Sequence, residues 1–245
     1  TGAAFTLNRN EIVKLTGNDI NGDGVEDDDI ANEWFIGHPL GANYDYVFDG
    51  IYQEGDDFSA LPGSQPGHIR FRDVDQDGVI TPDDRQVLHS NQPDFILGLT
   101  NTFNYKGFSL LAVFNWRQGG YSPNQALNLG RNFYYEANVY DIPYWTPENR
   151  INDWPILNYG NPLAWGFYQT RSFVRLQDLS LGYTFPVSIT EKANLSGLKV
   201  YVSGKNLLTW TDWIGWDPEH GAGGINPGNN GPLMKTYTVG LNVQF

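Results

Sequence analysis

The segment Thr236-Tyr-Thr-Val-Gly-Leu-Asn-Val-Gln-Phe245 alternates without a break between two kinds of side chain. The odd-numbered residues from Tyr237 to Phe245 are apolar, and the even-numbered residues from Thr236 to Gln244 are polar or glycine. A period of two predicts a β-strand with one apolar and one polar face. Ten residues is also the length of a tilted strand that crosses a bilayer.

Five upstream segments have the same period, so the sequence predicts an all-β chain with about six such strands. The five segments are Ala3–Asn8, Phe95–Tyr105, Phe108–Arg117, Asp178–Phe185 and Leu198–Ser203.

The connections between these strands alternate in length. The second and fourth are short, whereas the first, third and fifth run over roughly 9–94, 118–171 and 207–235. Short turns at one end and long loops at the other are typical of outer-membrane barrels, whose long loops are extracellular. Six strands cannot close a membrane barrel, since the smallest have eight, so we expect the last portion of a larger barrel or else a partner that completes one. The alternative is a soluble antiparallel sandwich, although its strands and loops are usually shorter.

The composition excludes several classes of function. Acidic side chains outnumber basic ones by 28 to 15, and the net charge of −13 argues against nucleic acid and anionic lipid headgroups as partners. The chain has no Cys, which removes disulfides and thiolate metal sites. We find no nucleophile elbow and no phosphate-binding loop, so we expect no enzyme activity. The chain opens at Thr1 without a signal segment, which indicates a mature product or a piece of a longer polypeptide.

The net acidity is concentrated in residues 11–94, which hold nineteen acidic and four basic side chains. We interpret this region as a long extracellular loop with calcium-type motifs. The segment from Asp73 to Asp84 (DVDQDGVITPDD) matches a calcium loop, with oxygens at positions 1, 3 and 5, glycine at 6, and an acid at 12. The predicted ligands are the side chains of Asp73, Asp75, Asp77 and Asp84 with the carbonyl of Val79. The alternative is a solvated acidic turn, and Asp84 is shorter than the usual bidentate Glu.

A second acidic segment, from Asp19 to Asp27 (DINGDGVED), starts in the same way. Its candidate ligands are Asp19, Asn21, Asp23, Val25 and Asp27. Position 12 is Ile30, so an acid between Asp27 and Asp29 would have to close the site. The sequence leaves a calcium site and a metal-free acidic turn equally open here.

Aromatic residues are frequent in the two later long loops. Aromatic faces in exposed loops can stack on sugar rings or on partner side chains. The alternatives are an aromatic girdle at the membrane interface and loops that pack on themselves. The candidate ligand-binding residues are Tyr134, Tyr135, Trp145, Trp213 and Trp216.

Seven motifs in order resemble one family over nearly the whole chain. They are Trp34–Leu40 with Asp49–Gln53, Ile69–Ile80, Asp84–Leu88, Tyr144–Asn149, Phe173–Tyr183, Val202–Trp210 and Tyr237–Phe245. In this order they are similar to the C-terminal quarter of SusC/RagA-type TonB-dependent transporters of Bacteroidetes outer membranes.

The resemblance implies the C-terminal strands of a 22-stranded transmembrane barrel whose plug is not in this chain. It also implies energised import of an oligomeric nutrient, a glycan more than a peptide, across the bacterial outer membrane. The implied partners are a SusD-like lid lipoprotein, TonB acting through the plug, and the rest of the barrel; a dimer of transporter–lid pairs is compatible with it. The alternative function is a soluble extracellular binding or adhesion module whose β-sheet is stiffened by calcium.

Overall fold

The structure is a computed structural model, and it describes residues 1–20, 22–128, 140–220 and 233–245. These residues form twelve strands: β1 (Gly2–Thr6), β2 (Ala42–Tyr46), β3 (Phe48–Ile51), β4 (Ile69–Phe71), β5 (Arg85–Ser90), β6 (Pro93–Tyr105), β7 (Phe108–Gly119), β8 (Tyr121–Ser122), β9 (Gln169–Thr170), β10 (Phe173–Thr184), β11 (Gly197–Trp210) and β12 (Thr236–Gln244). One short helix, α1 (Val187–Thr190), and four 3-10 turns at Ile30–Asn32, Pro82–Asp84, Gln125–Leu127 and Glu191–Ala193 complete the regular structure of the described residues. No helix among them is long and apolar enough to cross a membrane.

The prediction of six strands is confirmed. They form one sheet in the order β1-β6-β7-β10-β11-β12, and every neighbouring pair is antiparallel. The turn between β6 and β7 consists of Lys106 and Gly107, both in the left-handed region that a two-residue hairpin turn requires. The connections after β1, β7 and β11 are long, and the connection after β10 is short.

The register collects most of the apolar side chains of the sheet on one face, because residues paired between antiparallel strands point to the same face. Val239 pairs with Val202, and Val202 pairs with Leu181, which in turn pairs with Leu110 and Phe103. One face, here called the apolar face, therefore carries Phe5 of β1, Leu97, Leu99, Phe103 and Tyr105 of β6, Phe108, Leu110, Ala112, Phe114 and Trp116 of β7, Leu179, Leu181 and Tyr183 of β10, Leu198, Val200 and Val202 of β11, and Tyr237, Val239, Leu241 and Val243 of β12.

The apolar face is not the hydrophobic core of the described residues. Val239 is 83% exposed, and Tyr237 and Leu241 are also exposed. The opposite face carries mainly Thr, Ser, Asn, Gln and charged residues, with Leu111 and Val113 of β7 among them, and we call it the polar face. The sheet thus presents an apolar surface that the described residues leave largely uncovered, which soluble monomers rarely do on this scale.

The buried core lies instead in the two long connections on either side of the β6–β7 hairpin. Residues of 46–80 and of 127–167 share one cluster, which includes Ile51 and Ile69, both fully buried, and Tyr159, 1% exposed. The short ladders β2–β5 and β3–β4 supply the framework of this cluster. We call it the loop body.

Hydrogen bonds between the two connections hold the loop body together. The Ile156 N–H donates to the Gly67 carbonyl at 2.8 Å, and the Trp145 Nε1–H donates to Gln53 Oε1 at 2.9 Å. The acidic region is therefore not a simple solvated insertion, since its residues 46–80 contribute much of the buried apolar surface.

Candidate functional sites

The predicted calcium loop folds so that three of its carboxylates converge. One oxygen from each of Asp73, Asp75 and Asp84 lies within 4.8 Å of the other two. Two oxygens that bind the same Ca²⁺ at 2.3–2.6 Å are at most about 5 Å apart, so this spacing suits a shared cation. Asp73 Oδ1 is buried and has no hydrogen-bond partner among the described residues, as expected of an oxygen that awaits a ligand.

The loop is closed by Asp84, the acid at position 12. Its side chain is fully buried, and its two oxygens accept from the Val74 N–H at 2.6 Å and the Thr81 N–H at 2.7 Å. Gly78 has a φ of +88°, and its N–H donates to Asp73 Oδ2 at 2.9 Å. Glycine at position 6 is needed because other residues adopt this backbone conformation at a cost.

The other two predicted ligands lie at the exposed side of the loop. Asp77 is not in the converging group, and its Oδ1 accepts from the Val79 N–H at 2.8 Å. Val79 is 45% exposed. The N–H of Asp77 lowers the pKa of Asp75, but desolvation and the negative charges of Asp77 and Asp84 outweigh it, so this pKa lies above its ordinary value. A cation among these carboxylates would relieve that repulsion.

The second acidic segment repeats the backbone pattern of the first. Asp19 Oδ2 accepts from the Gly24 N–H at 2.9 Å, and Asp23 Oδ1 accepts from the Val25 N–H at 2.8 Å. Asp27 accepts from the Ile20 N–H. Among the described residues here, no three carboxylates converge, and Asn21 lies outside the described residues. A metal-free turn, in which backbone N–H groups bind the carboxylates, therefore explains all the contacts described for this segment.

The predicted aromatic binding residues are found in different environments. Trp145 is 5% and Trp213 is 6% exposed, and both are packed inside the loops rather than on an open surface. Trp216 is 60% exposed. Tyr134 and Tyr135 lie outside the described residues. Two of the five residues therefore follow the alternative in which the loops pack on themselves.

A buried ionic network on the polar face was not anticipated from the sequence. Arg175 of β10 contacts Asp217 at 2.6 Å and Glu219 at 2.5 Å, and its side chain is 3% exposed. It also donates to Thr209 Oγ1 at 3.0 Å and lies 4.6 Å from the centre of the Phe173 ring. The network fixes the third long connection to the wall of the sheet.

A β-bulge between Leu176 and Asp178 decides which face Arg175 occupies. Leu176 pairs with Phe114 and Leu179 pairs with Ala112, so the bulge inserts one extra residue into β10. Without that residue, Arg175 would share the apolar face with Leu179. In the alternating sequence Arg175 falls at a position of the apolar face, and the bulge turns its side chain to the polar face.

Aromatic residues on the apolar face form two bands. At the short-turn end, the rings of Phe108 and Tyr183 are 4.6 Å apart. At the long-loop end, the rings of Phe95 and Trp116 are 5.2 Å apart. Eight residues separate Phe108 from Trp116, about 26 Å along a strand at roughly 3.3 Å per residue. The aliphatic residues lie between the two bands, together with Phe103, Phe114 and Tyr237.

Comparisons with known proteins agree with this architecture, although no protein-family model matches the chain. The whole chain is 32% identical to the TonB-dependent receptor P3 of Formosa agariphila, of which it covers 26%. It is 27% identical over 98% of its length to the TonB-dependent receptor SusC of Bacteroides thetaiotaomicron, of which it covers 24%. The chain thus spans about a quarter of the length of these curated relatives.

Solved structures show the same likeness. A structure of the RagAB peptide transporter superposes with a TM-score of 0.72 at 27% identity, over 99% of this chain and 27% of that chain. The same transporter in an open-open state gives a TM-score of 0.66 at 27% identity, over 99% of this chain and 26% of that chain. Because sequence and fold agree over the whole length, the chain belongs to the SusC/RagA-like TonB-dependent receptors and has the fold of a portion of their β-barrel.

Proposed function

We propose that the chain forms part of the wall of an outer-membrane transporter that imports oligomeric nutrients with energy from TonB. The observation that carries this proposal is the register, which collects apolar side chains from all six strands on one uncovered face. Hydrocarbon is the environment that stabilises such a face, and a closed barrel leaves no strand edge unpaired in lipid.

The aromatic bands support the same placement. Outer-membrane barrels carry an apolar belt about 25 Å tall between two aromatic girdles. At a strand tilt of about 40°, the roughly 26 Å from Phe108 to Trp116 along β7 spans about 20 Å of membrane thickness, close to that height. The Lys106-Gly107 turn then lies on the periplasmic side, and the loop body is extracellular.

Site-directed labelling tests the placement, because the chain has no Cys of its own. Thr238 and Val239 are neighbours on opposite faces of β12, and each is replaced by Cys in a separate variant. In native outer membranes we expect a water-soluble maleimide to label position 238 and a lipophilic probe to label position 239. Water-soluble labelling of position 239 in intact membranes would contradict the placement, and so would a sharp monomeric peak for the chain in buffer without detergent. The second result would favour a soluble binding or adhesion module.

The likeness to SusC and RagAB proteins is the basis on which we propose partners and a class of cargo. We propose a lid lipoprotein of the SusD type over the extracellular loops, TonB acting through a plug domain, and dimers of transporter–lid pairs. The RagAB neighbours are described as a peptide transporter. We favour a glycan over a peptide for this chain, because aromatic residues, whose faces can stack on sugar rings, are frequent in its later long loops.

We also propose that the loop from Asp73 to Asp84 binds Ca²⁺ and thereby stabilises the loop body. Three converging carboxylates and the unpartnered Asp73 Oδ1 support a cation here. Ile80, at position 8, is 7% exposed within the loop body, and its N–H donates to the Ala60 carbonyl at 2.7 Å. A bound cation would hold Ile80 in place through the short chain that links it to Asp84.

Isothermal titration with Ca²⁺ tests this site. We expect one saturable event in the intact receptor that is lost in Asp73→Asn with Asp75→Asn. Asp19→Asn with Asp23→Asn is the matched control, because it removes two carboxylates from the other acidic segment. Equal Ca²⁺ binding by the wild type and the first double variant would show that Asp73 to Asp84 is a metal-free acidic turn.

A further inference from the structure

A cavity of about 240 Å³ opens into the loop body, beside the aromatic residues of the second long connection. Its walls are largely aromatic: Phe48, Trp154, Trp165, Phe167 and Tyr168. The Phe48 and Trp165 rings stack at 5.4 Å with an interplanar angle of 20°, and Trp165 is fixed by a bond from its Nε1–H to the Tyr46 carbonyl at 3.2 Å. The walls are therefore preorganised surfaces rather than mobile side chains.

Three of the residues that line the cavity carry a polar side-chain group with no partner among the described residues. These groups are the carboxylate of Asp153, the Nε1–H of Trp154 and the Nε2–H groups of Gln169. The orientation of the Gln169 amide is fixed, because its Oε1 accepts from Asn124 Nδ2 at 3.1 Å and from the Ile214 N–H at 3.2 Å. The cavity thus offers one charged acceptor and two donor groups beside flat apolar surfaces.

This combination has the chemistry of a site for a neutral sugar ring. Aromatic faces cover the C–H surface of a pyranose, while its hydroxyl groups both donate and accept hydrogen bonds. No Lys, Arg or His of the described residues lines the cavity, and Asp153 would repel a carboxylate or a sulfate. The volume lies below the roughly 300–1,000 Å³ of sites for drug-sized ligands, so it suits one ring rather than a long segment.

We infer that this cavity binds one neutral hexose unit of the cargo and so selects neutral glycans over anionic ones. The inference rests on the proposed import function and deepens it, since it names the cargo class and the residues that recognise it. Asp153 accepts from ring hydroxyls, Trp154 and Gln169 donate to others, and Trp165 stacks on the ring. A basic peptide side chain is the competing ligand, because an ammonium group also suits Asp153 and an indole face.

The test uses the receptor at its natural length with its lid, purified in detergent. It is applied to an array of neutral oligosaccharides, acidic oligosaccharides and Lys- or Arg-containing peptides, and the best-retained probe is then titrated by calorimetry. We expect a neutral oligosaccharide to be retained, with affinity at least tenfold weaker in Asp153→Ala and about threefold weaker in Trp154→Phe. Asp153 is exposed and Trp154→Phe keeps an aromatic ring, so both variants should fold.

Matched controls are Asp141→Ala and Trp34→Phe, which change exposed residues of the same types away from the cavity. Both should bind within twofold of the wild type. The inference is overturned if no neutral oligosaccharide is retained, if the peptides are retained instead, or if Asp153→Ala binds within twofold of the wild type. Maleimide labelling of β12 is independent of this cavity, so its outcome separates a failure of the cavity from a failure of the transporter proposal.

Discussion

Removal of the Asp217 carboxylate should release the third long connection from the wall of the sheet. Asp217 is 5% exposed and lies 2.6 Å from the guanidinium of Arg175, whose side chain is 3% exposed. In Asp217→Ala the guanidinium loses its best-buried partner and remains out of contact with water. Leaving a buried charge without its partner destabilises the packed conformation by more than the intact ion pair stabilises it.

The free-energy cost of Asp217→Ala depends on the contacts that Arg175 keeps in the variant. Breaking a buried ion pair costs about 3–5 kcal/mol. Glu219 at 2.5 Å, Thr209 at 3.0 Å and the Phe173 ring still contact Arg175 in the variant, so we expect the lower end, about 3 kcal/mol. At 1.4 kcal/mol per factor of ten, this corresponds to a roughly 100-fold increase in local opening.

Hydrogen exchange with mass spectrometry measures this opening in the detergent-solubilised receptor. The reporters are the amides of Trp213 and Ile214, which donate to Thr211 Oγ1 and Gln169 Oε1 and make no bond to the substituted side chain. Glu219→Gln is the control, because Glu219 is 48% exposed and should change exchange by no more than about fivefold. Equal protection of the two reporters in the wild type and Asp217→Ala would refute the anchoring role of the pair.

Three other substitutions or treatments probe the loop body, the apolar face and the calcium loop. Gly67→Ala should destabilise the loop body by about 2–4 kcal/mol in protease-resistance assays, because the new Cβ would lie 2.0 Å from Ile156 and φ is +87°; unchanged resistance would contradict this packing. Val239→Arg should reduce heat-resistant barrel assembly by about 2–4 kcal/mol, whereas Thr238→Arg on the polar face should not; equal effects would argue against lipid contact. Chelation of Ca²⁺ should increase limited proteolysis within residues 73–84, and no change at saturating chelator would argue against a metal in this loop.

The six strands and their two faces could be predicted from the sequence because the period of two is a local property. Thr236–Phe245 alternates in every position, and the observed β12 spans Thr236–Gln244. The same holds for the Lys106-Gly107 turn, where glycine marks the strained position. The predicted first strand ran two residues too far, to Asn8 rather than Thr6, because the alternation continues through Leu7 and Asn8 although the pairing with β6 ends at Thr6.

The loop body could not be predicted because its contacts are distant in sequence and its residues have no period. Ile51 bonds to Asn152 and Trp165 bonds to Tyr46, across about one hundred residues in each case. High acidity between residues 11 and 94 indicated a solvated loop, whereas apolar residues such as Ile69 and Phe71 within it are buried. Average charge therefore concealed a hydrophobic core. Trp145 and Trp213 looked like exposed binding residues because they lie in long loops, although they pack inside these loops.

The position of Arg175 shows why alternation alone is insufficient near functional elements. Counting back by twos from Leu179 places Arg175 on the apolar face at the level of Trp116, near the edge of the apolar belt, where an Arg side chain in contact with lipid costs up to about 1 kcal/mol. The bulge between Leu176 and Asp178 changes the parity, so that Val174 and Leu176 continue the apolar face while Arg175 turns to the polar face. One extra residue thus both avoids that cost and aims the guanidinium at Asp217. Since a bulge leaves no fixed mark in the sequence, the signal that could have revealed it is the charge itself: an Arg at a position where the period demands an apolar residue indicates that the period has shifted.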